Sequence, residues 1–135
     1  TTAGADLTIY MAENADGLDR VTPEKGTFEV LFECSGAAPA LTAGIAAMRP
    51  GGKIIQLGLG GDMSLPMMAI TAKELELKGS FRFHEEFFTA VSLMQKGLID
   101  VKPFITQTLP LDEAVAAFEL ASDRSRAVKA QIAFA

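Results

Sequence analysis

Two apolar segments that each run directly into glycine constrain the fold of this chain more than any other feature. Residues 28–36 have the sequence FEVLFECSG, and residues 51–61 have the sequence GGKIIQLGLGG. In an open α/β sheet, strands that end in small residues leave room for a ligand at the carboxyl edge of the sheet. The two segments therefore predict parallel strands with a ligand crevice where they end.

The residues between and after these segments complete a small parallel sheet. Apolar residues recur at helical spacing over residues 38–48, and this helix has to end before Pro50. Strands at 28–34 and 53–57, joined by the helix, form a βαβ unit whose strands lie parallel. Residues 75–83 alternate between apolar and polar side chains, as a half-exposed strand at a sheet edge does. We expect an α/β fold with a partial Rossmann-type parallel sheet and flanking helices.

Weaker patterns predict the remaining elements of a chain whose 135 residues suit one compact domain. Helical spacing, alternation and the positions of glycine and proline give each of them. These elements are a strand at 6–10, a helical turn at 18–21, a short helix at 66–73, an amphipathic helix at 85–96 with Gly97 as its C-cap, a helix capped by Asp112, and a last strand at 127–134.

The composition argues against two classes of partner. A net charge of −5 and an isoelectric point near 4.8 leave no positive field for nucleic acid or an anionic membrane. No run of the sequence approaches the roughly 18 apolar residues of a membrane helix. The single cysteine, Cys34, ends an apolar strand and is expected to be a buried thiol in a reducing compartment. We therefore expect a cytoplasmic protein.

The loop after the second strand nearly matches a dinucleotide-binding fingerprint. In residues 58–63 (GLGGDM), two glycines have the required spacing, but Met63 stands where the third glycine belongs. A glycine-rich loop after a strand is also ordinary turn chemistry, so ligand contact and a plain turn both remain open.

Three further groups have both a functional and a structural interpretation. Ser35 and Gly36 offer a hydroxyl and backbone N–H groups suited to a ribose, or they cap a helix. Arg82, at the carboxyl end of a predicted strand, binds ligand oxygens or is a solvated edge residue. Residues 84–86 (HEE) are adjacent and point in different directions, which disfavours a metal site. No HExxH, CxxC, GxSxG or GKS/T element is present, which removes the corresponding enzyme classes.

Seven segments spread over nearly the whole chain resemble one enzyme family. They are GAD at 4–6, FECSG at 32–36, RPGGK at 49–53, LGLG at 57–60, KEL at 73–75, KGSFRF at 78–83 and PLDEA at 110–114. Together they resemble the zinc-containing medium-chain alcohol dehydrogenase superfamily, and within it the polyol dehydrogenase branch that includes the sorbitol and L-idonate 5-dehydrogenases. The GSFRF part is the most specific to that branch.

The resemblance implies a place for this chain within a larger enzyme. Residues 1–135 would be the C-terminal portion of an NAD(P)-binding Rossmann domain whose first βαβ elements precede Thr1. Residues from about 103 to 135 would return toward the catalytic domain. The family's zinc ligands, its glycine fingerprint and the acidic residue that selects NAD over NADP would also precede Thr1. The chain would then hold no catalytic and no metal-binding residue, and alone it is predicted to be inactive.

The same resemblance implies roles for residues of this sequence. The reaction would be oxidation of a secondary alcohol of a polyol or sugar acid, with NAD (or NADP) as hydride acceptor and zinc only in the whole enzyme. Arg82 and Phe83 would face the substrate. The residues implied at the cofactor are Cys34, Ser35 and Gly36 beside its adenosine ribose, Leu57, Gly58 and Leu59 at the nicotinamide amide, and Ser80 and Phe81 beside the same ring.

Two alternative functions remain. The threonine and butanediol dehydrogenase branch shares these strands and differs in its pocket. A truncated, non-catalytic dimerisation module would keep the fold without the chemistry. We expect a homodimer paired through the edge strand 75–83, because an unpaired strand edge without proline recruits a partner strand, and the family resemblance implies the same pairing.

Overall fold

The computed structural model describes residues 4–134, which divide into two compact units. The first unit ends at Arg82 and the second begins at Phe83, so each has its own sheet where one compact domain was expected. The elements of the first unit are β1 (Phe28–Glu33), α1 (Ala38–Ala47), β2 (Met48–Gln56), α2 (Met67–Ala72) and β3 (Glu76–Gly79). Those of the second unit are α3 (Glu85–Gln95), β4 (Ile105–Pro110), α4 (Ala114–Ser122) and β5 (Lys129–Ala133). Short 3-10 turns lie at Asp19–Val21, Lys102–Phe104 and Leu111–Glu113.

The sheet of the first unit has the order β1-β2-β3, and both pairings are parallel. This confirms the predicted βαβ unit and the edge position of the third strand. The helices α1 and α2 bury their apolar residues against β2, because a twisted parallel sheet needs a helical layer to cover it. The buried cluster consists of Leu41, Ile45, Met48, Ile54, Ile70 and Leu75.

The strand β2 begins earlier than predicted, at Met48 and not at residue 53. Phe28 pairs with Met48, and the register then shifts before Val30 pairs with Lys53. Gly51 has a positive φ of 72°, a conformation that glycine adopts without strain, and its N–H donates to the Lys73 carbonyl at 2.7 Å. The glycines that were expected to separate helix from strand thus form a bulge inside the strand.

The strand β3 ends at Gly79, four residues before the predicted end. Its partner β2 reaches only to Gln56, which pairs with Gly79, so no ladder is available for the residues that follow. Arg82 has a positive φ of 62°, which breaks the extended backbone. The four residues of β3 are all exposed, and the predicted burial of one face is limited to Leu75, just before the strand.

Two predicted features at the chain's less regular regions are wrong. Residues 6–10 form no strand, and the Tyr10 carbonyl accepts turn hydrogen bonds from the N–H groups of Glu13 and Asn14. Asp112 does not cap a helix. It lies within the turn Leu111–Glu113, and α4 follows that turn without a side-chain cap.

The second unit contains a two-stranded parallel sheet of β4 and β5 covered by α4. Leu109, Ala117 and Leu120 form its buried cluster. The helix α3 ends at Gln95, and Gly97, whose φ is 69°, follows its C-cap Lys96, with the Leu98 N–H donating to the Leu93 carbonyl at 2.9 Å. The apolar residues of α3 are not buried, contrary to the expectation for an amphipathic helix.

Lys73 caps the C-terminal end of α1 from outside the helix. Its Nζ donates to the backbone carbonyls of Ile45 at 3.0 Å, Ala46 at 2.7 Å and Met48 at 2.9 Å. These oxygens carry the negative end of the helix dipole, which an ammonium group stabilises. Partial burial lowers the pKa of Lys73, because it penalises the charged form.

We expect Lys73→Met to lower the free energy of unfolding by about 1.5–3 kcal/mol, since methionine keeps the apolar stem and removes the charged donor. Urea unfolding followed by circular dichroism measures the change. The matched control is Lys78→Met, because Lys78 is an exposed lysine on β3. Equal stability of the two variants would show that the three carbonyl contacts contribute nothing.

Candidate functional site

The carboxyl ends of the three parallel strands are tied together by backbone hydrogen bonds. The Glu33 carbonyl at the end of β1 accepts from the N–H groups of both Leu57 and Gly58, each at 2.8 Å. The Gln56 carbonyl at the end of β2 accepts from the Ser80 N–H at 2.9 Å. The segments 34–36, 57–59 and 80–81, which carry all eight predicted cofactor residues, therefore begin at one edge of one sheet.

Two of these segments touch through their glycines. A Cβ placed on Gly58 would lie 2.0 Å from the Gly36 nitrogen, and one placed on Gly60 would lie 2.1 Å from the Gly36 carbonyl oxygen. Gly36 itself has a positive φ of 69°. The turn after β1 and the loop after β2 are therefore packed backbone against backbone. Any side chain larger than hydrogen at these glycines would prevent the contact.

A buried carboxylate, Glu33, organises this contact. Only 4% of Glu33 is exposed. Its Oε1 accepts from the N–H groups of Ser35 at 2.8 Å and Gly36 at 3.0 Å, and from the Ser35 hydroxyl, while its Oε2 accepts from Gln56 Nε2 at 2.6 Å. The hydrogen bond from the Ser35 hydroxyl, and after it the other hydrogen bonds, lower the pKa of Glu33 although burial acts to raise it. The group is thus a fixed anion inside the turn.

No role was predicted for Glu33, although the alternation along β1 indicates that its side chain faces the core. Alternation places Glu33 on the same face as Leu31, which packs against the buried cluster. A carboxylate at a core-facing position has to find donors. The small residues that immediately follow it supply them through their backbone N–H groups.

The carboxylate changes what the turn after β1 can offer a ligand. The Ser35 hydroxyl donates to Glu33 and accepts from the Ala37 N–H at 3.1 Å, and the N–H groups of Ser35 and Gly36 also donate to Glu33. The donors that were expected to be available to a ribose are satisfied internally. Cys34 is exposed, so the prediction of a buried thiol is wrong.

An open cleft of about 360 Å³ lies beside the glycine loop in the first unit, a volume within the range of small-molecule sites. Of the predicted cofactor residues, Gly58 and Leu59 line it. The remaining lining residues, which the sequence analysis did not assign, are Leu41, Gln56, Gly60, Gly61, Asp62, Met63, Leu65 and Leu77. Mostly apolar walls with a few polar groups are typical of small-molecule sites.

The two predicted substrate residues belong to different units. Arg82 is the last residue of the first unit, and its guanidinium lies over the ring of Phe81, 4.9 Å from the centroid. Phe83 is the first residue of the second unit, and its ring centroid lies 4.9 Å from that of Phe87. Arg82 and Phe81 thus form a pair that carries a positive charge next to the end of β3.

A metal site would need side chains of His, Cys, Asp or Glu that converge on one position. Between residues 4 and 134, no three side chains of His, Cys, Asp or Glu converge on a position where a metal ion could be held. A zinc ion therefore does not fit the described part of the chain. Nor does any helix in residues 4–134 have the length and hydropathy required to cross a membrane.

Comparisons with known proteins agree with the fold. L-Idonate 5-dehydrogenase (NAD(P)(+)) of Escherichia coli K12 is 37% identical over 132 residues, which are 97% of this chain and 38% of that protein. Sorbitol dehydrogenase of Rattus norvegicus is 37% identical over 122 residues, 87% of this chain and 34% of its own length. The crystal structure of the Escherichia coli L-idonate 5-dehydrogenase superposes with a TM-score of 0.81 at 38% identity, covering 86% of this chain and 34% of that one.

These relatives have a polyol or a sugar acid in their names, which agrees with the branch that the sequence motifs resemble. The chain spans little more than a third of their length. Residues 1–96 match the model of one protein family, described as zinc-binding dehydrogenase. Because this match covers more than half of the chain and the fold agrees, the chain belongs to the zinc-binding dehydrogenase family.

Proposed function

We propose that this chain forms the later part of an NAD(P)-binding Rossmann domain in a dehydrogenase that oxidises a secondary alcohol of a polyol or sugar acid. The observation that carries the proposal is the backbone contact of Gly36 with Gly58 and Gly60 at the carboxyl edge of a parallel sheet. Ligands of open α/β sheets bind in the crevice outside the carboxyl ends of the strands, which is where this contact lies. The names of the relatives supply the substrate class and the cofactor class.

Within this proposal, the segments at the strand ends contact different parts of the cofactor. The backbone of Leu57, Gly58 and Leu59 positions the carboxamide of the nicotinamide, and Ser80 and Phe81 border the ring. The exposed surface of Cys34, Ser35 and Gly36 lies beside the adenosine ribose, because the inward donors of that turn are taken by Glu33. When bound, the cofactor supplies the hydride acceptor. Residues from about 103 to 135 return toward a catalytic domain that holds the zinc.

Arg82 is proposed to hold substrate oxygens. Its φ of 62° is a left-handed conformation that is rare for a residue with a side chain, and backbone strain of this kind, costing about 1–3 kcal/mol, is concentrated at functional sites. A guanidinium donates to two oxygens at once, which suits the neighbouring hydroxyl groups of a polyol or the carboxylate of a sugar acid. Phe83 is proposed to border the same substrate.

A second function, that of a dimerisation module, is favoured by β3. It is the outer strand of its sheet, and all four of its residues are exposed. We propose that two copies pair through this edge in the enzyme as well, so dimerisation alone does not separate the two functions. Dimers that fail to bind NADH would favour the module.

The test of the enzyme function uses the whole enzyme that contains this chain. We expect NADH to bind with enhanced fluorescence and polyols to be oxidised. We expect Arg82→Ala to lower kcat/KM for the polyol about 10- to 150-fold, corresponding to about 1.5–3 kcal/mol for hydrogen bonds from a charged group. The affinity for NADH should change much less, since Arg82 is assigned to the substrate.

The matched control is Arg49→Ala. Arg49 lies in β2, is exposed and forms a surface ion pair with Glu29 at 3.4 Å, so its removal should leave turnover within about twofold. If kcat/KM of Arg82→Ala stayed within the same twofold range, Arg82 would be an ordinary surface residue and its assignment to the substrate would be wrong.

A further inference from the structure

The side-chain amide of Gln56 has only one satisfactory orientation. Its Nε2 donates to Glu33 Oε2 at 2.6 Å and to the Gly58 carbonyl oxygen at 3.0 Å. Both partners only accept, so the nitrogen has to face them. The Oε1 of the same amide is buried and has no hydrogen-bond partner among residues 4–134. Gln56 therefore acts toward its neighbours as a donor of two hydrogen bonds.

These two hydrogen bonds join two different segments of the proposed site. Glu33 holds the turn after β1 through Ser35 and Gly36, and Gly58 begins the loop after β2. A Cβ on Gly58 would lie 2.6 Å from Glu33 Oε2, which shows how closely the segments approach. Without a donor between them, the carboxylate and the Gly58 carbonyl would present oxygens of like partial charge to each other.

We propose that Gln56 is a positioning residue of the cofactor site: by donating to both Glu33 and the Gly58 carbonyl, it fixes the spacing between the turn at 34–37 and the loop at 57–61. This inference rests on the proposed function. The affinity for NADH then depends on the donors of Gln56, although no contact of Gln56 with the reacting atoms is required. Binding of the cofactor should weaken when the donors are lost, while the chemical step proceeds.

Three substitutions separate the donors from other properties of the side chain. Gln56→Leu removes both donors at similar volume. Gln56→Lys keeps an ammonium donor for Glu33 and Gly58 but has no acceptor oxygen. Gln107→Leu, on an exposed position of β4, is the control for the same chemical change elsewhere. The dissociation constant for NADH, kcat, and the unfolding temperature are measured for each variant of the whole enzyme.

We expect Gln56→Leu to raise the dissociation constant for NADH about tenfold, the effect of roughly 1.4 kcal/mol, with kcat within about threefold of wild type. For Gln56→Lys and Gln107→Leu, both the dissociation constant for NADH and kcat should stay within about threefold of wild type. If Gln56→Leu does not fold, Gln56→Asn replaces it, because the shorter amide cannot reach both acceptors.

Three results would overturn the inference. An unchanged dissociation constant in Gln56→Leu, even with a lowered unfolding temperature, would show a merely structural role. Equal losses in Gln56→Leu and Gln56→Lys would show that a donor at this position does not restore NADH binding, so donation is not what the side chain contributes. Absence of binding of both NADH and NADPH in the wild-type enzyme would overturn the proposed function together with this inference, whereas the first two results leave that function intact.

Discussion

Replacing Glu33 with glutamine is expected to lower the free energy of unfolding by roughly 2–4 kcal/mol. The carboxylate accepts from four donors, two of them backbone N–H groups that no substitution removes. A glutamine at this position turns an NH2 group toward one set of these donors, which leaves buried N–H groups facing each other. The cost is therefore larger than the loss of a single hydrogen bond.

The matched control for this change is Glu29→Gln in the same strand. Glu29 forms only an exposed ion pair with Arg49, at 3.4 Å, so its substitution should change stability by less than about 1 kcal/mol. Urea unfolding of both variants at pH 7 compares the two positions. Similar stabilities of Glu29→Gln and Glu33→Gln would mean that the hydrogen bonds of the buried carboxylate are not a source of stability.

The difference between wild type and Glu33→Gln should also depend on pH in a definite direction. The pKa of Glu33 in the folded chain lies below its ordinary value of 4.5, chiefly because the Ser35 hydroxyl donates to the carboxylate. A group whose folded pKa is lowered contributes stability that is fully present above the unfolded pKa and is lost as the pH falls through the folded pKa. The difference should thus be constant near neutral pH and shrink below about pH 4.5.

The part of the fold that was predictable from the sequence is the part whose apolar residues recur with a clear period. Helical spacing in α1 and the apolar strands on either side of it fix β1, α1 and β2, because a long apolar pattern has few other ways to be buried. The order of the strands followed from the alternation in residues 75–83. The end of α3 followed from Gly97, since only glycine adopts its conformation readily.

The errors arise where a tertiary neighbour decides the local structure. Residues 6–10 have a strand-like composition, but a strand needs a pairing partner, and none of the described strands pairs with them. The end of β3 depends on how far β2 extends and on the positive φ of Arg82, neither of which is written in residues 80–83. Propensity alone does not contain this information.

The site was predictable in outline and not in its polar interior. The glycines of the two segments indicated where the strands end, and the family motifs predicted that the same segments face the cofactor. The link from Glu33 through Gln56 to Gly58 crosses two strands and depends on side-chain orientation at their last residues. Sequence periodicity places both residues on a strand but does not pair them.

The methyl group added by Gly58→Ala is expected to disrupt the proposed site more than a methyl group added at any other position. The new Cβ would lie 2.0 Å from the Gly36 nitrogen, 2.8 Å from the Gly36 Cα and 2.6 Å from Glu33 Oε2. Two of these atoms are backbone and the third belongs to a carboxylate that accepts from four donors, so none can move aside without breaking the turn. We expect a loss of about 3 kcal/mol or more in unfolding free energy, at the upper end for overpacked sites.

Gly61→Ala is the matched control for this prediction, because Gly61 lies in the same loop and a Cβ on it would meet no atom within 4 Å. Its stability should stay within about 0.5 kcal/mol of wild type. The NADH dissociation constant should rise at least about tenfold in Gly58→Ala, since the loops are pushed apart, and stay near wild type in Gly61→Ala. If Gly58→Ala matched Gly61→Ala in both stability and NADH affinity, the close contact of the two loops would be irrelevant to the fold and to the cofactor. The comparison therefore tests the observation on which the proposed function depends.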